Sequence, residues 1–190
     1  MVRSDQFPYP RHSDHSPAMI HPLRFYTCTL LTLLACASTF AAEKPNIIVI
    51  MADDLGYGDV SCYGATALET PNIDRLATEG LRFTSGYCSA STCTPTRYSF
   101  LTGTYAFRKQ GTGIAPPNSP ALIQPDTSTL PSLLQKAGYK TAVIGKWHLG
   151  LGGPDGPDWN GELKPGPMDI GFDYNFLLPT TNDRVPQVYV

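Results

Sequence analysis

After residue 41 the chain holds a single histidine, His148; the other three, His12, His15 and His21, all lie before it. Any imidazole chemistry in that part of the chain therefore falls to one position. Charge of either sign is scarce as well: 14 Lys and Arg against 16 Asp and Glu leave a net charge of −2, which offers no basic surface for nucleic acid. No internal repeat is present. The glycine-rich stretch 149–167 lacks the pattern that opens a helix after a strand and cradles phosphates, which excludes a nucleotide loop there. Cysteine is sparse, with five in all. Cys28 and Cys36 sit in the amino-terminal segment, so Cys62, Cys88 and Cys93 remain, and in an exported chain at least one of these thiols stands outside any disulfide. Whether Cys62 and Cys88 pair is open at this level.

What is plentiful is proline, with 18 residues, and glycine, with 17, clustered between apolar stretches rather than in a low-complexity tail. The chain therefore reads as one globular unit and not as a disordered one. Ahead of that unit, residues 1–41 read as a leader and signal peptide. Arg24 precedes an apolar run from Phe25 to Ala37, and Thr39-Phe40-Ala41 places small residues where a signal peptidase reads. The run is too short for a stable membrane span, so cleavage after Ala41 and export to the periplasm or beyond are expected, with an uncleaved anchor as the alternative. Met19 is an alternative start to Met1.

From residue 44 the pattern is that of an α/β protein. The β-branched run 46–51 has no alternation, as expected for a central parallel strand covered on both faces. Asp53 and Asp54 follow it directly. At the carboxyl end of such a strand, paired carboxylates suit a hard cation, Ca²⁺ or Mg²⁺, although a turn or a helix cap is the commoner use of the pair. Thr70 as cap, Pro71 at the first position and Gly80 past the end predict a helix with Ile73, Leu76 and Ala77 as its buried stripe. Residues 81–85 alternate as a strand, and 104–126 read as a long surface loop. A helix carrying Leu130, Leu133 and Leu134 is capped by Thr127 or Ser128 and closed by Gly138. Residues 139–145 are a strand, just past which stand Lys146 and His148. If the extended geometry continues, these two point the same way and can face one anion, where otherwise they form a surface pair.

Between these elements lies Ser91 to Gly103. Pro95 suits a first helical turn, Tyr98 and Leu101 share a helix face, and Gly103 can close the end. Cys93 then sits at a helix N-terminus, where unpaired N–H groups and the helix dipole favour an anion and Arg97 adds a charge one turn later. Read by itself, Cys93 also fits a small buried hydrophobe.

The run Cys93-Thr94-Pro95-Thr96-Arg97, with Thr102-Gly103 behind it, resembles the signature of the type I sulfatases, arylsulfatase-like enzymes in which this cysteine becomes formylglycine. Residues 52–59 look like the opening of that family, and 138–148 look like its second signature. The resemblance implies an alkaline phosphatase-like fold with a largely parallel sheet flanked by helices. Residues 44–190 would be the amino-terminal part of the catalytic domain, a fragment inactive on its own. It further implies a metal, Ca²⁺ or possibly Mg²⁺, on Asp53, Asp54 and the residue made from Cys93. Arg97 and Lys146 would neutralise sulfate oxygens, and His148 would bond the formylglycine hydroxyl or steer its proton. Thr181, in a later block from Gly171 to Arg184, would touch the sulfate. The implied activity is sulfate ester hydrolysis, on a sulfated small molecule or polysaccharide, after a maturation enzyme has made the formylglycine. A phosphate or phosphonate ester hydrolase of the same wider group and an inactive fragment are the alternatives.

Overall fold

The computed structural model describes residues 43–183 and 188–190. The expected leader and signal peptide lie outside the described residues. The chain divides into two units, residues 1–51 and 52–190.

In the first unit the described residues are 43–51, and they overturn the strand expected at 46–51. No strand forms there, and Ile48 and Ile50 are each 84% exposed. An apolar run becomes a central strand only by pairing along its edges and burying both faces. Apolar composition by itself does not supply the partners.

In the second unit the elements are, in order, α1 (Pro71–Glu79), α2 (Cys93–Thr102), α3 (Leu130–Lys136), β1 (Ala142–Lys146) and β2 (Tyr174–Leu178), with short 3-10 turns between them. α1 has the expected Thr70 and Gly80 boundaries with Pro71 in its first turn. Its apolar stripe is not buried as expected, for Ile73 and Leu76 are exposed. What anchors α1 is polar: Asp74 accepts from the Ser61 hydroxyl (2.6 Å) and from the Cys62 backbone N–H (2.8 Å). The strand expected at 81–85 does not form; the chain there is bent and exposed.

α2 starts at Cys93 and ends at Gly103, which takes the left-handed conformation (φ 66°) and returns its N–H to the Ser99 carbonyl. Only glycine adopts that conformation without steric cost. α3 is capped by Thr129, one residue later than the sequence suggests. The Thr129 hydroxyl accepts from Ser132 N–H (3.2 Å) and donates to the Ile170 carbonyl (2.5 Å), a second tie that no local pattern encodes.

β1 and β2 pair in parallel, with Ala142 opposite Tyr174 and Lys146 opposite Leu178. The ladder continues past both strands, since Trp147 N–H donates to the Leu178 carbonyl (2.8 Å) and His148 N–H to that of Pro179 (2.9 Å). At the head of the pair, Asp173 accepts from Thr141 N–H (2.8 Å) and from Gln135 (3.1 Å).

The core gathers Tyr98, Ile123, Trp147, Leu149, Leu151, Ile170, Phe172 and Leu177. Full burial of a side chain such as Leu177 stabilises by about 1.5–3 kcal/mol. The edge-to-face pair of Trp147 and Phe172, with centroids 6.4 Å apart, contributes about 0.5–1.5 kcal/mol beyond its area. The expected surface loop 104–126 is part of this core. Ala115, Ala121 and Ile123 are buried, and Leu122 N–H donates to the Leu149 carbonyl (2.9 Å). Apart from one 3-10 turn at Ala106–Arg108, it folds without regular structure against residues 148–152, just past β1.

Candidate active site

Three elements of the second unit meet at the carboxyl end of β1: the turn carrying Asp53, the first turns of α2, and the end of β1 itself. Such strand ends are where α/β sheets place their ligands, because the loops diverge there and leave a crevice. Cys93 occupies the first position of α2, where Thr92 contributes no side-chain cap, and it is half-buried as a free thiol. Cys62 and Cys88 are free thiols too, so they do not pair.

Asp53 joins the other two elements. Lys146 Nζ lies 2.6 Å from Asp53 Oδ2, and an Arg97 nitrogen lies 3.6 Å from Asp53 Oδ1. The other terminal nitrogen of Arg97 donates to the Lys146 carbonyl at 2.6 Å, which fixes the guanidinium against the strand end. The Lys146 ammonium, hydrogen-bonded to Asp53, holds that carboxyl below the usual carboxylate range against the opposing effect of burial, and the Arg97 charge adds to it. Both cations are largely buried at their side chains, with 14% and 17% exposure for Arg97 and Lys146. Burial at that level strengthens their fields relative to surface charges.

Asp54 is exposed and has a left-handed backbone (φ 58°). His148 shares that conformation (φ 57°), and these are the two non-glycine residues with positive φ among the described residues. Left-handed backbone costs about 1–2 kcal/mol away from glycine and persists where surrounding contacts over-determine it, commonly at functional sites. Because the chain turns left-handed at His148, the extended alternation expected to aim it alongside Lys146 stops there. Its ring is buried, with Nε2 3.0 Å from the Ala115 carbonyl.

Arg97 Nε and Thr181 Oγ1 are buried with no hydrogen-bond partner among the described residues. Thr181 lies two residues after Pro179, whose carbonyl takes the His148 N–H. Thus Asp53, Arg97 and Lys146 are in mutual contact, and Cys93 and His148 are built onto the same elements. Ala115 and Thr94, which sequence reasoning passed over, also belong here. Ala115 acts through its backbone and Thr94 through a buried hydroxyl, and neither leaves a composition signal. Among the described residues no three His, Cys, Asp or Glu side chains group as a metal site. Asp53 and Asp54 nonetheless supply the hard oxygen donors that Ca²⁺ or Mg²⁺ takes.

Comparison with known proteins finds a family for the chain. The sulfatase family model matches residues 45–185. An N-acetylgalactosamine-6-O-sulfatase of Bacteroides thetaiotaomicron is 54% identical over 149 residues, covering 78% of this chain and 29% of that protein. Arylsulfatase A of Bos taurus is 47% identical over 157 residues, covering 82% and 29%. A solved structure from work on the metabolism of multiple glycosaminoglycans by Bacteroides thetaiotaomicron superposes with a TM-score of 0.77 at 54% identity, over 78% of this chain and 31% of that one. The chain thus spans under a third of the length of these relatives.

Proposed function

The chain belongs to the sulfatase family and has its alkaline phosphatase-like α/β fold, and from that premise we propose that it contributes the nucleophile end of a sulfate ester hydrolase site. The observation that carries the reading is the convergence of Arg97 and Lys146 on Asp53 beside the helix that begins at Cys93. Two largely buried cations and a helix N-terminus gather positive potential where the oxygens of a sulfate would sit.

Each residue then has a role. Cys93 would be the residue that a maturation enzyme converts to formylglycine, whose hydrated aldehyde would supply the hydroxyl nucleophile and a second hydroxyl for release of sulfate. Arg97 and Lys146 neutralise the equatorial oxygens as charge moves toward the departing alcohol. Arg97 Nε and Thr181 Oγ1, both buried without partners among the described residues, are polar atoms that a sulfate oxygen would satisfy. His148 holds or moves the proton of the hydroxyl at residue 93. Asp53 and Asp54 would hold Ca²⁺ or Mg²⁺, which when bound adds positive charge against the sulfate. Asp53 also orients Lys146 and Arg97 through the ion pairs already described.

Similarity to an N-acetylgalactosamine-6-O-sulfatase supports a sulfated saccharide as the substrate class. A formylglycine-making maturation enzyme is the required partner, and export through the amino-terminal segment is the expected route. The test is mass spectrometry of the tryptic peptide 83–97 after expression with such an enzyme, followed by rates on an aryl sulfate and an aryl phosphate in the full-length protein. Formylglycine at position 93 with faster sulfate than phosphate hydrolysis supports the reading. A peptide that stays wholly a thiol, or a preference for phosphate, removes it.

A further inference from the structure

Thr94 is completely buried, next to the nucleophile position, and its hydroxyl uses both its donor and its acceptor capacity. Thr94 Oγ1 donates to the His148 carbonyl at 2.8 Å and accepts from the Ala115 N–H at 3.1 Å. Ala115 in turn offers its carbonyl to His148 Nε2 at 3.0 Å. These three contacts close a ring through Thr94, His148 and Ala115, all buried.

Chemistry dictates what the ring does to the imidazole. A carbonyl oxygen has no proton to give, so Nε2 must carry the hydrogen, and a neutral His148 then keeps its basic lone pair on Nδ1. The Thr94 hydroxyl also binds the carbonyl of His148, while the His148 N–H binds Pro179, so both backbone groups of this left-handed residue are held. Without the hydroxyl, the buried Ala115 N–H would lose this partner, and the left-handed backbone at His148 would lose the restraint on its carbonyl.

We infer that Thr94 is the positioning residue for His148: one buried hydroxyl couples the first turn of the nucleophile helix to the backbone, ring orientation and tautomer of the histidine. This rests on the role given to His148 above, and it goes beyond that role by assigning the device that fixes which nitrogen is basic. Threonine at this place is then more than a spacer between Cys93 and Pro95. Serine would serve in part, whereas valine, of the same shape, would not.

The experiment pairs Thr94→Val with Thr94→Ser in the full-length protein. Long-range proton–nitrogen NMR reads the tautomer of His148, whose signals are assigned by their loss in His148→Gln. The parent and Thr94→Ser are expected to show a single Nε2–H form, and Thr94→Val a mixture. In parallel, kcat of Thr94→Val should fall by about tenfold with KM within about twofold, and Thr94→Ser should recover most of it. An Nδ1–H form in the parent overturns the inference even if Thr94→Val fails to fold. So does a Thr94→Val protein with the parental tautomer and kcat. If the tautomer follows Thr94 but the parent cleaves no sulfate ester, the coupling of Thr94 to His148 stands and the sulfatase reading falls.

Discussion

Lys146 Nζ and Asp53 Oδ2 lie 2.6 Å apart although the residues are 93 positions apart in the chain. This contact, with Arg97 on the other oxygen, is what turns three separate sequence motifs into one site. Asp53 is thereby a shared counter-charge for both cations. Asp53→Asn should raise the Ca²⁺ concentration for half-maximal activity by about tenfold or more, because ligand charge sets calcium affinity. Titrating activity against Ca²⁺ checks this; an unchanged midpoint would mean that Asp53 serves only as the partner of Lys146.

Removing the side chain of Cys93 with Cys93→Ala should abolish turnover of an aryl sulfate. Lys146→Ala and His148→Ala should each lower kcat by ~10²-fold or more, as expected for lost charge stabilisation or proton transfer. His148→Ala hydrolysing at the parental rate would sink the role given to that histidine.

Asp173 has a carboxyl held below the usual carboxylate range, first by the Thr141 backbone N–H and then by Gln135, with the Lys140 charge adding to the effect. A depressed folded-state pKa contributes stability that is present above the unfolded pKa, about 3.9, and is lost as pH falls through the folded value. The difference in urea midpoint between the parent and Asp173→Asn should therefore be full at pH 7 and shrink in acid below about pH 4. A difference that persists undiminished into strong acid would show that the carboxylate charge is not its source.

Thr129 couples the start of α3 to the Ile170 carbonyl from a nearly inaccessible position. Thr129→Val should cost about 2–4 kcal/mol, the sum of a lost cap and a buried carbonyl left unpaired, while Thr129→Ser stays near the parent. Urea unfolding with an unchanged slope would check it, and equal midpoints for parent and Thr129→Val would refute the tie.

Helix boundaries at Thr70, Gly80, Cys93 and Gly103 were readable from the chain, because caps, prolines and glycines act over one turn of backbone. The capping of α3 was misread by one residue, since Thr127, Ser128 and Thr129 are chemically equivalent and the choice depends on Ile170, 41 positions away. The runs 46–51 and 81–85 have strand composition, yet neither is a strand, for pairing is a property of two segments and not of one.

At the site the division is the same. The sequence singled out Cys93, Arg97, Lys146, His148 and the two aspartates through the family motifs they resemble, because taken one by one each also fits a turn, a surface pair or a buried hydrophobe. Tertiary structure decided the rest: that Asp53 pairs with both cations, that the chain turns left-handed at His148, and that an alanine carbonyl meets its ring nitrogen while a buried threonine hydroxyl holds its backbone carbonyl. Hydrogen bonds to backbone across a fold depend on where distant segments are packed, and no local pattern of side chains encodes that.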